Sequence, residues 1–155
     1  MMAAADAGYS GTPLVKKLGF KPGMAAAFVA LPDSLAGLAA SVDFAACDRF
    51  PSWEAMRATD GIYDAIHAFT IMRAEIENEL LRLQNRIRPD GMIWVSWPKK
   101  ASKVRTDVTE DVVRNAALDL DLVDVKVAAV DQTWSGLKLV IRKDRRKERT
   151  DRSHG

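Results

Sequence analysis

Apolar positions along the chain fall into two periods. Ile76, Leu80, Leu83 and Ile87 recur at spacings of four, three and four. That is one stripe on a helix, predicted over residues 73–87. Residues 24–31 form a continuous small and apolar run, which reads as a strand buried on both faces. Residues 63–71, 92–97, 122–130 and 137–142 read as further strands, and 41–46 as a weak one. Thr12-Pro13 followed by Gly19 gives a start and a stop for a short helix over 12–18. Short helices are expected at 34–40 and, within a loop over 49–59, at 52–58. Thr106 or Asp107 caps a helix running to Leu118, with Val108, Val112, Ala116 and Leu120 inward. Arg88-Pro89-Asp90-Gly91 reads as the turn that ends the longest helix.

The alternation of strands and helices predicts an α/β fold: a single-domain, open, mostly parallel sheet with helices on both faces. Only about six residues separate the last two strands, too few for a parallel crossover, so an antiparallel C-terminal hairpin is expected near a sheet edge. Residues 1–10 read as a flexible lead, 11–142 as the α/β domain, and 143–155 as a basic disordered tail without apolar residues.

Composition changes this picture little. The chain has 155 residues, enough for one domain with a real core. No apolar run reaches the roughly 20 residues of a membrane-spanning helix. The opening residues lack a signal peptide's basic start and apolar centre. A lone Cys47 fits a reducing compartment. These features set a cytoplasmic expectation. Net charge is +2, but Arg142 to Arg152 hold seven Arg/Lys against three Asp/Glu, so the remainder is slightly acidic. Nucleic-acid contact is therefore expected only through the tail, if anywhere.

Three segments carry a resemblance to a known family. Leu18-Gly19-Phe20-Lys21-Pro22-Gly23 precedes the first strand. Tyr63-Asp64-Ala65-Ile66 opens the third. Leu83 to Pro98, LQNRIRPDGMIWVSWP, joins a helix to the fourth. In order and spacing these resemble class I S-adenosylmethionine-dependent methyltransferases, which implies a methyltransferase-like, Rossmann-like sheet. The chain is also similar to a family of small bacterial proteins of unknown function. That similarity rests on Tyr9 to Leu14 with Lys17-Leu18-Gly19, Trp97 to Ser102, Thr109 to Arg114, and Val130 to Leu137. It implies no biochemical activity.

The methyltransferase resemblance implies a G-x-G-x-G turn after the first strand, where glycines let backbone approach the cofactor. Aligned from Gly23, the acidic position that precedes the turn falls on Phe28. The glycine positions fall on Ala30, Pro32 and Ser34, and no glycine occurs between Gly23 and Gly37. The family's ribose-binding carboxylate corresponds to Asp43 or Asp48. No cofactor is expected, and S-adenosylmethionine enters only under the alternative of a divergent methyltransferase. An active methyltransferase is the less favoured reading.

In open α/β sheets ligands bind at the carboxyl edge. The candidates there are Trp97, Lys99, Lys100 and Lys103 after the fourth strand, with Asp131 and Trp134 after the fifth. Clustered lysines beside flat aromatic surfaces suit an anionic small molecule or a protein partner. The catalytic residues and oligomeric state are left open. His67, inside an apolar strand, reads as a satisfied core histidine. His154 and Cys47 add no metal-ligand spacing. Ser102 and Ser135 lack a histidine partner for nucleophilic catalysis.

Overall fold

The structure, a computed structural model, describes residues 13–146. Six strands form one sheet in the order β2-β1-β3-β4-β6-β5. They are β1 (Ala25–Val29), β2 (Ala46–Phe50), β3 (Tyr63–Phe69), β4 (Ile87–Pro98), β5 (Leu122–Ala129) and β6 (Trp134–Ile141). Strands β2, β1, β3 and β4 are parallel. The expected hairpin is present, and β6 runs antiparallel between β4 and β5. The chain leaves β1 for β2, then returns across β1 to β3. The order therefore reverses at the carboxyl ends of β1 and β3, where such sheets open a crevice.

Alternating side chains divide the core into two layers. Ile76, Leu80 and Leu83 of helix α2 (Arg73–Gln84) and Val113 and Ala117 of helix α3 (Glu110–Leu118) cover one face. They pack on Ile66, Ile93, Val95, Leu137 and Leu139 from the sheet. The other face carries Phe28, Phe69 and Trp94. It is covered by Leu14 of the short helix α1 (Leu14–Lys17), by Leu18, and by Leu35 and Leu38 of a 3-10 helix, Asp33–Ala40. Burial of this much aliphatic and aromatic surface is the main stabilising term. Buried indoles keep their polar atoms satisfied: Trp53 Nε1 donates to the Phe69 carbonyl and Trp94 Nε1 to the Leu18 carbonyl, each at 2.8 Å.

Several boundaries differ from the periodicity. The second strand is not 41–46 but Ala46–Phe50. It is an edge strand, mostly exposed, and its parallel ladder to β1 rests on backbone pairing that hydropathy does not mark. The short helix expected at 52–58 is present as a 3-10 helix, Glu54–Ala58, and Trp53 and Met56 from this segment are buried in the core. Helix α2 stops at Gln84, and Ile87 begins β4. Tyr63 pairs with Ile87 and Ala65 with Met92, so residues 88–91 bulge within the strand and do not end a helix. Helix α3 starts at Glu110 because Thr109 caps it, its Oγ1 accepting from Val112 N at 3.2 Å. Val113 and Ala117 are consequently its fully buried residues, while Val112, Ala116 and Leu120 pack partly against the core.

His67 is wholly buried and only half satisfied. Its Nε2 pairs with Ser96 Oγ at 2.8 Å, while Nδ1 has no partner among the described residues. Phe69 stacks on the ring at 4.2 Å. Burial lowers its pKa to about 3, so the imidazole is neutral. Residues 143–146 make one helical turn, and Arg146 Nε donates to the Ile141 carbonyl. The rest of the tail and the N-terminal lead lie outside the described residues. No described helix is long and apolar enough to cross a membrane.

Candidate functional site

β4 delivers the site. Its last residues, Trp97 and Pro98, are buried, and a 3-10 helix, Lys100–Ser102, follows at once. The exit is held by short-range bonds. Lys99 N donates to the Thr133 carbonyl at 2.8 Å, which ties it to the β5–β6 connection. Ser102 Oγ donates to the Lys99 carbonyl at 2.6 Å and accepts from Val104 N at 3.2 Å. Thr106 Oγ1 then donates to the Ile71 carbonyl at 2.6 Å. The loop after β4 is thus fastened to the loop after β3 before α3 begins.

These elements enclose a groove of about 650 Å³. Trp97, Pro98 and Val108 give it apolar walls, and Lys99, Lys100, Lys103 and Arg105 surround it with cations. No described carboxylate forms a salt bridge with any of the four. Glu110 also lines the groove, but Arg114 engages it together with Asp111 and Asp124. The lining thus carries four cations against one carboxylate.

Of the six residues singled out in the sequence, Trp97, Lys99, Lys100 and Lys103 come together here. Trp134 does not. It pairs with Pro98, one step from the Trp97–Ser135 pair, so it faces the opposite side of the sheet and packs edge-on against Phe69 at 5.2 Å. Asp131 caps its own turn: Oδ1 accepts from Thr133 N at 2.8 Å and Trp134 N at 2.7 Å. Arg105, Thr106 and Val104 line the groove and were not singled out. Their signal was the continuation of the same basic run two residues past Lys103.

Among the described residues, only two non-glycine residues have positive φ: Ala30 at 55° and Lys103 at 63°. Ala30 follows β1 and Lys103 follows the β4 exit, so both lie at the carboxyl edge. An L-residue in this region costs about 1–2 kcal/mol, which glycine avoids. Strain of this kind gathers at functional sites, where surrounding structure holds it in place.

The turn after β1 has a different character from the groove. Ala30 N donates to the Phe50 carbonyl at 2.8 Å, and Pro32 has no N–H to offer. Asp43 lies at the amino edge, where its carbonyl accepts from Gly23 N at 2.9 Å. Asp48 lies within β2 and accepts from the Tyr63 hydroxyl at 2.6 Å. Burial, then that hydrogen bond, raises the Tyr63 pKa. β2 ends on Phe50, followed by Pro51 and Ser52, so no carboxylate stands at its carboxyl end.

A second groove of about 400 Å³ runs between α2 and α3, with Glu77, Asp111 and Asp119 along it. Among the described residues no group of His, Cys, Asp and Glu side chains is placed to hold a metal ion.

No protein-family model matches the chain, and no curated protein sequence is similar to it. Solved structures are similar. Magnesium protoporphyrin IX methyltransferase from Synechocystis, with S-adenosylmethionine bound, superposes with a TM-score of 0.58 at 12% identity, covering 83% of this chain and 74% of that one. The CcbJ methyltransferase from Streptomyces caelestis gives 0.58 at 7% identity, covering 83% and 92%. A ribosomal protein methylase from Lactobacillus delbrueckii subsp. bulgaricus gives 0.55 at 12% identity, covering 83% and 75%. The sheet order, the antiparallel β6 and these superpositions together establish a class I methyltransferase fold, a Rossmann-like α/β sheet, for this chain.

Proposed function

We propose that the chain is a Rossmann-like module that binds an anionic small molecule in the groove after β4, and that it does not use the turn after β1 as a cofactor cradle. The observation that carries this reading is Lys103. A lysine occupies a left-handed position that favours glycine, at the rim of a groove whose other cations lack described carboxylate partners. The left-handed φ stands where the 3-10 helix Lys100–Ser102 ends, with Lys103 N donating to the Lys100 carbonyl at 3.0 Å, and the unbalanced positive charge around that position suits an anion that neutralises it. A volume of about 650 Å³ lies in the range of small-molecule pockets, roughly 300–1,000 Å³, and favours such a ligand over a protein partner.

The alternative is a divergent methyltransferase. Its support is the fold and the S-adenosylmethionine bound in a similar structure. Against it stand the missing glycines, the absent Pro32 N–H and the lack of a carboxylate at the end of β2. On this reading the residues around β1 do not fit that cofactor.

Titration followed by backbone amide NMR separates the two. Inorganic phosphate is expected to shift Lys99, Lys100, Lys103 and Arg105, and the shifts disappear in a Lys99→Ala/Lys100→Ala protein. S-adenosylmethionine or S-adenosylhomocysteine that binds and shifts Ala30 and Leu31 would instead support the methyltransferase. Silence toward phosphate at millimolar concentration would reject the anion site.

A further inference from the structure

The loops around the groove expose apolar side chains as well as cations. Ile71 is 45% exposed, Met72 52% and Val104 44%. Val104 lines the groove between Lys103 and Arg105. Ile71 and Met72 belong to the neighbouring loop. It is joined to the groove by the Thr106–Ile71 hydrogen bond and by Asp107, whose Oδ1 accepts from Arg73 N at 2.7 Å. The floor beneath is Trp97, Pro98 and Val108, none of which offers a charge. A fully hydrated inorganic anion would use the cations and leave this apolar surface in water.

We infer that the groove takes an amphiphilic anion: a phosphate or carboxylate head held by Lys99, Lys100, Lys103 and Arg105, with an apolar body laid against Trp97, Pro98 and Val104 toward the Ile71–Met72 loop. The inference rests on the proposed anion site and adds the class of ligand. Long lysine and arginine stems support it physically. Their methylenes line apolar surface while the charged ends meet the head group. Burial of an apolar chain adds affinity roughly in proportion to the area removed from water.

The test compares inorganic phosphate with hexyl phosphate, by NMR titration of the intact chain. Hexyl phosphate is expected to bind at least about tenfold more tightly, equivalent to about 1.4 kcal/mol. Its titration should shift the methyls of Val104, Ile71 and Met72 as well as the four basic residues. Val104→Ser, at an exposed position, should weaken hexyl phosphate severalfold more than inorganic phosphate, and equal weakening of the two would count against the apolar contact. Equal affinities for the two probes would overturn the amphiphile and leave the anion site standing. Hexyl phosphate shifts confined to the groove between α2 and α3 would also overturn it. Failure of both probes to bind would remove the anion site itself.

Discussion

Asp107 Oδ1 accepts the backbone N–H of Arg73 at 2.7 Å, so a residue after β4 caps the helix that follows β3. The first N–H groups of a helix have no partner within it, and Met72, at the N-cap of α2, makes no side-chain cap bond. A distant carboxylate supplies the missing acceptor and suits the positive helix end. With Thr106 on Ile71, it fixes the two loops that frame the groove.

Asp107→Ala is therefore expected to lower unfolding free energy by about 1 kcal/mol, the usual cost of a lost cap. Asp107→Asn should retain most of it, because the amide oxygen still accepts. Urea unfolding of the three proteins checks this. Equal stability of Asp107→Ala and the parent would mean the contact contributes nothing.

Ala30, like Lys103, has a left-handed φ, 55° against 63°. Ala30→Gly is expected to raise the melting temperature, partly offset by the greater freedom of glycine in the unfolded chain. Ala30→Val should lower it, since a β-branched residue tolerates positive φ least. A lower melting temperature for Ala30→Gly would show that the conformation carries no strain.

The buried His67 makes stability depend on acid. Its folded pKa, about 3, is depressed from an ordinary value near 6.5. Below pH 6.5 the unfolded chain takes up a proton that the folded chain refuses. The His67 contribution is thus fully present above that pH and is lost as pH falls toward 3, by up to about 1.4 kcal/mol per pH unit. His67→Phe removes this component of the slope, which urea midpoints between pH 7 and pH 4 would show. An identical slope in the variant would contradict a neutral, buried imidazole.

Gly136 guards the same region. A Cβ there would lie 2.9 Å from Ser96 Oγ and 3.1 Å from Trp94 Cε3. Gly136→Ala must displace the Ser96 hydroxyl that pairs with His67, and overpacking of this kind typically costs about 1–3 kcal/mol. Thermal unfolding measures it, and an unchanged melting temperature would mean the strands yield freely.

The sheet is legible because β1, β3 and β4 are buried on both faces, which leaves continuous apolar runs, and the hairpin because its connection is too short for a parallel crossover. β2 is not. All its residues but Phe50 are exposed, and the backbone ladder from Ala25–Ala46 to Val29–Phe50 defines it. The helical stripe through Ile87 misled for a related reason. Hydropathy records that Ile87 is buried, not that it pairs with Tyr63 in a strand. At the site, the lysines after Trp97-Pro98 were visible as a run. The separation of Trp97 from Trp134 was not, since it depends on the register of β4 against β6. The strain at Lys103 has no sequence signature, because a lysine looks the same in any backbone conformation.

Lys103 bears a left-handed backbone and, on the proposed reading, holds an anion with its side chain. Lys103→Gly tests both halves in one protein, by urea unfolding and by titration with inorganic phosphate. The expected result is opposite in sign: stability rises or holds, and phosphate affinity falls severalfold. Higher stability with unchanged affinity would mean that the Lys103 side chain does not hold the anion.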